Sequence, residues 1–243
     1  MKRFRMFAGP NGSGKSTLIK EISKECFIGS YINADEIERK LNETKFIDCN
    51  DYLPVSATQE DWNKFKAIIK QEDKRITHET LSSINIKEGV IVIETPINSY
   101  IASIIAEFFR FVLIECDKSF SFETVMSHPS KVSFLKKAKE NGFKTYLYFI
   151  STQDPSININ RVKIRVSKGG HNVEEDKIQN RYYKSMELLC DAFLNADRAY
   201  IIDNSTDNVK NVLVEKKGKN IKIYSDEMPE WVQVYLLEKI EKE

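Results

Sequence analysis

The stretch GPNGSGKST at residues 9–17 decides how this chain is read. It fits the pattern G-x-x-x-x-G-K-[ST]. It stands between an apolar-aromatic run, KRFRMFA at 2–8, and a segment at 15–25 that carries Leu18, Ile19 and Ile22 at helical spacing. Strand, glycine-rich loop and helix in that order make a phosphate-binding loop. Gly9, Gly12 and Gly14 permit turns that bring successive backbone N–H groups to one side, facing phosphate oxygens, and the helix N-terminus adds its partial positive charge. On this reading Gly9, Asn11, Gly12, Ser13, Gly14, Lys15, Ser16 and Thr17 hold ATP. Lys15 reaches the β- and γ-phosphates, the Ser16 hydroxyl ligates Mg²⁺, and Thr17 faces the α-phosphate side.

Working outward, strands are expected at 30–33, 89–94, 119–124, 143–150 and 198–204. Helices are expected at 36–42, 60–83, 99–115, 131–141, 156–168, 174–195 and 229–242. Residues 44–59 form a polar connection with Pro54, and 209–224 a hairpin turning at Lys217-Gly218. Strands alternating with helices imply an α/β fold: a mostly parallel sheet with helices on both faces, closed by a C-terminal hairpin and helix. No internal repeat or low-complexity segment interrupts it.

The chain has 243 residues, with 37 Lys plus Arg against 36 Asp plus Glu. That length suits one α/β domain with an insertion, or at a stretch two small ones, and the balance gives no bulk attraction to nucleic acid or a membrane surface. Cys26, Cys49, Cys116 and Cys190 are scattered without a CxxC pair, so neither a metal knuckle nor a disulfide framework is expected. The N-terminal apolar run is too short for a signal peptide, and no stretch is long enough to span a bilayer. A soluble, cytoplasmic protein is the expectation.

Transporter-type ATPases need an LSGGQ-like helix and a strand ending in Asp-Glu; GTPases need a base-reading NKxD motif. None is present, which leaves a small-molecule kinase. Asp35, just past the second strand in INADEIER, is placed to accept a proton from a substrate hydroxyl. With Glu38 three residues on, it is equally placed to cap a helix. Two strands end in Glu-Thr, at Glu94-Thr95 and Glu123-Thr124, and either pair could face Mg²⁺ or substrate. Arg161, Arg165 and Lys168 fall on one helical face, as do Lys177, Arg181 and Lys184, with GGHN at 169–172 between the two helices. Such stripes are either a basic lid at about 156–195 or two solvated faces. His171 either touches phosphate or shapes the hinge, the second being favoured, and Trp62 and Trp231 read as core or interface aromatics rather than base-stacking platforms.

FETVMSH (122–128), AKENGFKTYLYFI (138–150), RVKIRVSKGGHNVEEDKIQNRYYKSMELL (161–189), RAYIIDNS (198–205) and NADEIER (33–39) closely resemble the zeta-toxin-like P-loop kinases. The resemblance covers about 1–43 and 98–206. It implies a P-loop kinase core and ATP-dependent phosphorylation of a hydroxyl on a small soluble acceptor, in the best-known members UDP-N-acetylglucosamine. It places the base at Asp35, with Asn33 beside the acceptor. It selects Glu123, with Thr124, over Glu94, and it assigns lid arginines to Arg161 or Arg165, with Arg181 as a further candidate. It also implies an antitoxin protein as partner. Two departures stand out. Family members carry E-x-T-x-R, and here Ser127 occupies the arginine position. Residues 44–97 have no counterpart in compact members and read as a helical insertion. An ATP-binding switch or slow ATPase without an acceptor is the alternative.

Overall fold

The computed structural model describes all residues except 73–76, 171, 207–209 and 243, with the backbone alone at 70–72. The hinge histidine, His171, thus lies outside the described residues. In chain order the elements are β1 (Arg3–Ala8), α1 (Lys15–Glu25), β2 (Ser30–Ile32), α2 (Ala34–Thr44), β3 (Phe46–Asp48), α3 (Gln59–Glu72), α4 (His78–Ser82), β4 (Ile84–Lys87), β5 (Val90–Ile93), α5 (Ser99–Glu115) and β6 (Phe120–Thr124). They continue with α6 (Ser130–Glu140), β7 (Lys144–Ser151), α7 (Pro155–Ser167), α8 (Glu175–Glu187), α9 (Leu189–Asn195), β8 (Arg198–Asp203), β9 (Asn211–Lys217) and β10 (Asn220–Ile223). The chain ends in a helical run, α10 (Glu230–Val232), a π-turn (Gln233–Leu237) and α11 (Glu238–Ile240).

The large sheet has seven strands in the order β10-β9-β8-β7-β1-β6-β2, flanked by helices. β1 pairs in parallel with β7, and β7 with β8, whereas β8–β9 and β9–β10 are antiparallel. This is the α/β architecture expected from alternating strands and helices, with the hairpin added at one edge. A parallel central strand is covered on both sides and so reads as an apolar run, as LYFI does within β7.

The backbone forms two compact units, Met1–Ile28 with Phe122–Glu243, and Gly29–Ser121. In the first, Phe4 on β1 stacks on Phe122 at 5.4 Å between ring centroids and meets Phe134 of α6 edge-on at 5.5 Å. A row of rings crosses the other face of the sheet: Phe7 on Tyr148 at 4.9 Å, Tyr148 on Tyr200 at 5.0 Å. Burial there pushes the Tyr148 hydroxyl up to about 12. Trp231 is buried, and its indole N–H donates to Asp203 Oδ1 at 3.4 Å.

The second unit is built on α5, whose apolar residues recur on nearly every face, so that eleven of its side chains are buried. Trp62 of α3 is fully buried against Phe108 and Phe65, with ring centroids 5.2 and 5.4 Å away. Where the sequence suggests one strand, at 89–94, the structure has three: β3 and β4 both pair antiparallel with β5. β3 has only three residues, too few to show a period. β4 follows directly on a charged helical run that masks its alternation. Its Ile86 N–H is received by the Gln59 side chain at 2.7 Å.

The helix expected at 174–195 is two helices, with the break at Leu188. The C-terminal carbonyls of α9 are gathered by one buried ammonium. Lys216 Nζ donates to Phe193 O at 2.8 Å and to Ala196 O at 2.7 Å, as well as to Leu194 O. Burial holds that ammonium below the ordinary lysine range, and the three carbonyls are what make it tolerable there. Replacing Lys216 by Met is expected to cost about 2 kcal/mol of unfolding free energy, because the carbonyls lose their donor. Urea unfolding of the two proteins measures it.

Candidate functional site

The C-terminal end of β1 runs into the glycine-rich loop, and the loop runs into α1 at Lys15. Gly9 has φ 143°, Gly12 φ 76° and Gly14 φ 98°, all in the region that favours glycine. At Gly9 there is a second reason for glycine. A Cβ there would lie 2.0 Å from the carbonyl oxygen of Ile150 on β7, closer than any side chain can come. The loop is therefore pressed against the neighbouring parallel strand, and Ser13 beside it is fully buried.

Lys15 is 6% exposed, unusual for a lysine, and its ammonium donates to Gly9 O and Pro10 O, each at 2.9 Å. Glu123, near the end of β6, stands 3.8 Å from the same ammonium. The Ser16 hydroxyl, at the first turn of α1, donates to Glu123 Oε2 at 3.1 Å and lies 3.4 Å from Oε1. One lysine, one hydroxyl and one carboxylate from two places in the sequence thus meet at the mouth of the loop. Thr124 follows on the same strand and its hydroxyl receives the Met126 N–H at 3.0 Å. Glu94, the other Glu-Thr candidate, belongs to the second unit.

The second unit also carries Asn33 and Asp35. Asn33 is the N-cap of α2: its side chain accepts the Asp35 N–H at 2.9 Å and its amide donates to the Tyr31 hydroxyl at 3.0 Å. The capping role that the sequence allowed for Asp35 is therefore performed two residues earlier. Asp35 is exposed in the first helical turn, where a carboxylate suits the positive end of the helix dipole.

The basic residues of α7 and α8 have different surroundings. Arg161 is half-buried and its guanidinium donates to Asn204 O at 2.7 Å, in the loop after β8. Arg165 and Arg181 are exposed. Lys163 reaches across to Glu175 at 2.8 Å, tying α7 to α8, and Lys177 pairs with Glu174 at 2.8 Å. Ile159, Val162, Val166 and Ile178 line a cavity of about 510 Å³ between these helices.

Several residues around the loop have contacts with it that the sequence did not announce, even where they fall in a family-like stretch. Asn158 of α7 is fully buried, and its amide donates to Asn11 O at 2.6 Å. Its side-chain oxygen receives the Thr152 hydroxyl, and the Thr152 carbonyl receives the Tyr182 hydroxyl of α8 at 2.7 Å. Burial holds the Tyr182 hydroxyl well above the ordinary tyrosine range, so it stays a donor. Asn204 donates from its amide to Ser13 O at 2.8 Å. Among the described residues, no group of three or more His, Cys, Asp or Glu side chains could hold a metal ion unaided, and no helix is long and apolar enough to cross a membrane.

No family model matches the chain. An uncharacterized protein of Haemophilus influenzae is 41% identical over 63 residues, which is 26% of this chain and 45% of that protein, so the match spans under half its length. Among solved structures, the AvrRxo1-ORF1:AvrRxo1-ORF2 complex with sulphate ions is similar at a TM-score of 0.56 and 13% identity, over 99% of this chain and 63% of that chain. A structure of the same complex with ATP gives a TM-score of 0.51 at 14% identity, over 99% of this chain and 63% of that chain. A structure from the PezAT chromosomal toxin-antitoxin system of Streptococcus pneumoniae gives 0.50 at 15% identity, over 100% of this chain and 86% of that chain. At such identities the likeness is one of fold.

The crowding at Gly9 makes a direct prediction. Gly9→Ala is expected to destabilise the protein by about 2 kcal/mol or more, because both the positive φ and the Ile150 carbonyl oppose a methyl group. The urea midpoint of purified variant and parent decides it.

Proposed function

We propose that this protein is an ATP-dependent kinase that transfers the terminal phosphoryl group of ATP to a hydroxyl of a small soluble acceptor. The observation that carries the reading is the meeting of Lys15, Ser16 and Glu123 at the mouth of a glycine loop whose Asn11 and Ser13 carbonyls are held by Asn158 and Asn204. The loop N–H groups and Lys15 bind and orient the phosphates. The donor set also fits Mg²⁺, a hard cation that takes oxygen ligands: the Ser16 hydroxyl would hold it, with the Glu123 carboxylate beside it. When bound, the ion neutralises charge developing on the phosphates.

Asp35 is the proposed base, accepting the proton of the acceptor hydroxyl, with Asn33 and Thr124 among the acceptor's contacts. Arg161, Arg165 and Arg181 are the proposed cations of a lid over the transferring group, at about 156–195 in a single domain spanning 1–243 with an insertion at 44–97. A UDP-amino sugar is the first acceptor to test, since the sequence resembles zeta-toxin-like kinases over most of its length. The solved structures that share the fold add support: one holds ATP, and another comes from a toxin-antitoxin system. An antitoxin protein is the proposed partner, with the nucleotide site as its target and the cytoplasm as the setting.

The experiment is ADP release from ATP and Mg²⁺ across UDP-sugars and other small hydroxyl compounds. Acceptor-dependent release is expected in the parent. Lys15→Ala should abolish it, and Glu123→Gln and Asp35→Asn should each lower kcat by about a hundredfold or more while ATP still binds. Full transfer by Asp35→Asn would remove that residue from its role. ATP binding with no acceptor-dependent release anywhere in the panel would point instead to a switch or slow ATPase. Growth arrest on induced expression, absent with Lys15→Ala, would mark the kinase as a toxin.

A further inference from the structure

We propose that two asparagines, the buried Asn158 and the half-buried Asn204, are positioning residues that set the direction of the phosphate-binding N–H groups before any ligand arrives. The inference rests on the reading of residues 9–17 as a nucleotide loop.

The argument starts from the peptide plane. In a trans peptide the C=O of one residue and the N–H of the next point in opposite directions and turn together. The Asn11 carbonyl and the Gly12 N–H share one plane; the Ser13 carbonyl and the Gly14 N–H share another. Asn158 donates to Asn11 O at 2.6 Å and Asn204 to Ser13 O at 2.8 Å. Each amide pins one carbonyl on the outer side of the loop, and so turns the N–H of the following glycine the opposite way, toward the inside. The two pinned planes are alternate ones, and glycine follows each. Glycine at φ 76° and 98° has almost no intrinsic preference for such a turn, so without an external hold these planes could flip.

The clamps are close and themselves braced. A Cβ on Gly12 would lie 2.5 Å from the Asn158 carbonyl oxygen, and one on Gly14 2.5 Å from Asn204 Nδ2. The Asn158 amide is oriented by the Thr152 hydroxyl on its oxygen, and Thr152 is gripped through its carbonyl by Tyr182. Asn204 is tied at both ends of its backbone: its N–H donates to Ser151 O at 2.8 Å, and its carbonyl receives Arg161 at 2.7 Å. The benefit is preorganisation. The loop does not have to order its donors when phosphate binds, so less of the interaction is lost to conformational entropy. It also gives Arg161 and Tyr182 a task on the loop in addition to any on the acceptor.

The test uses the full chain labelled with ¹⁵N-glycine, which has nine glycine signals. Relaxation dispersion on the ligand-free protein reads microsecond-to-millisecond flipping at each glycine, and titration with ATP and Mg²⁺ reads affinity. In the parent, Gly12 and Gly14 should be quiet. Asn158→Ala should produce exchange at Gly12 and not Gly14, Asn204→Ala the reverse, and each should weaken ATP binding about tenfold. Should Asn158→Ala fail to fold, Tyr182→Phe is expected to loosen Gly12 alone, through Thr152. Flat dispersion at both glycines in the variants overturns the clamp, and so does exchange with ATP affinity unchanged. If the parent itself takes up no ATP, the nucleotide reading falls, while the dispersion profiles still decide whether the asparagines hold the loop.

Discussion

Everything around the candidate site follows from one constraint: residues 9–14 must reverse their peptide planes within a few residues, against a neighbouring strand. Gly9 lies so close to the Ile150 carbonyl that only a hydrogen fits between them. The β1–β7 parallel pairing brings the two strand ends to that distance, register by register, from Arg3 opposite Lys144 to Ala8 opposite Phe149. In a loop pressed down in this way, the Gly9 and Pro10 carbonyls receive Lys15, that of Asn11 receives Asn158, and that of Ser13 receives Asn204. Under the proposed reading, the same hydrogen bonds also turn the following glycine N–H groups toward the phosphates. Stability and binding capacity are in this respect one requirement.

The placement of charge follows the same logic. A buried lysine is tolerated only when its donors are occupied, and Lys15 has two backbone carbonyls and a carboxylate nearby. Lys216 solves the same problem at the end of α9 with three carbonyls, and with Asp197 near enough to favour its charge. The difference is informative. Lys216 is held entirely by its own fold, whereas Lys15 shares Glu123 with an exposed serine hydroxyl at a helix start. The first arrangement closes a structure; the second leaves polar groups convergent on an open position. The second unit has its own logic, an aromatic core around α5 and Trp62 with a small antiparallel sheet, and it presents Asn33 and Asp35 at the start of α2.

Much of the architecture was legible wherever a long periodic segment met clear end signals. α1 and α5 begin and end at the residues their patterns suggest, 15–25 and 99–115, because a glycine loop precedes one and Asn98 caps the other. The turn at Gly218 between β9 and β10 was equally plain. Short elements were not: β3 and β4 have three and four residues, and their pairing with β5 is a long-range choice that local pattern does not record. The division of 174–195 at Leu188 leaves no mark in the pattern because both halves keep helical periodicity.

The candidate site divides along the same line. A phosphate loop is a local device, built from consecutive residues whose backbone freedom, charge and hydroxyl follow from their types, so the sequence alone determined its existence and the places of Lys15 and Ser16. Asn158 and Asn204 are 147 and 191 residues from the carbonyls they hold, and although Asn204 falls in the RAYIIDNS stretch, no pattern in the sequence gives either one this task. An asparagine amide has no property that distinguishes a clamp from a surface residue until folding brings a carbonyl within its reach. Which asparagine would be buried, and which glutamate would meet the lysine, depended on parallel strand pairing and on the helices packed beside it, and those were decided only by the tertiary structure.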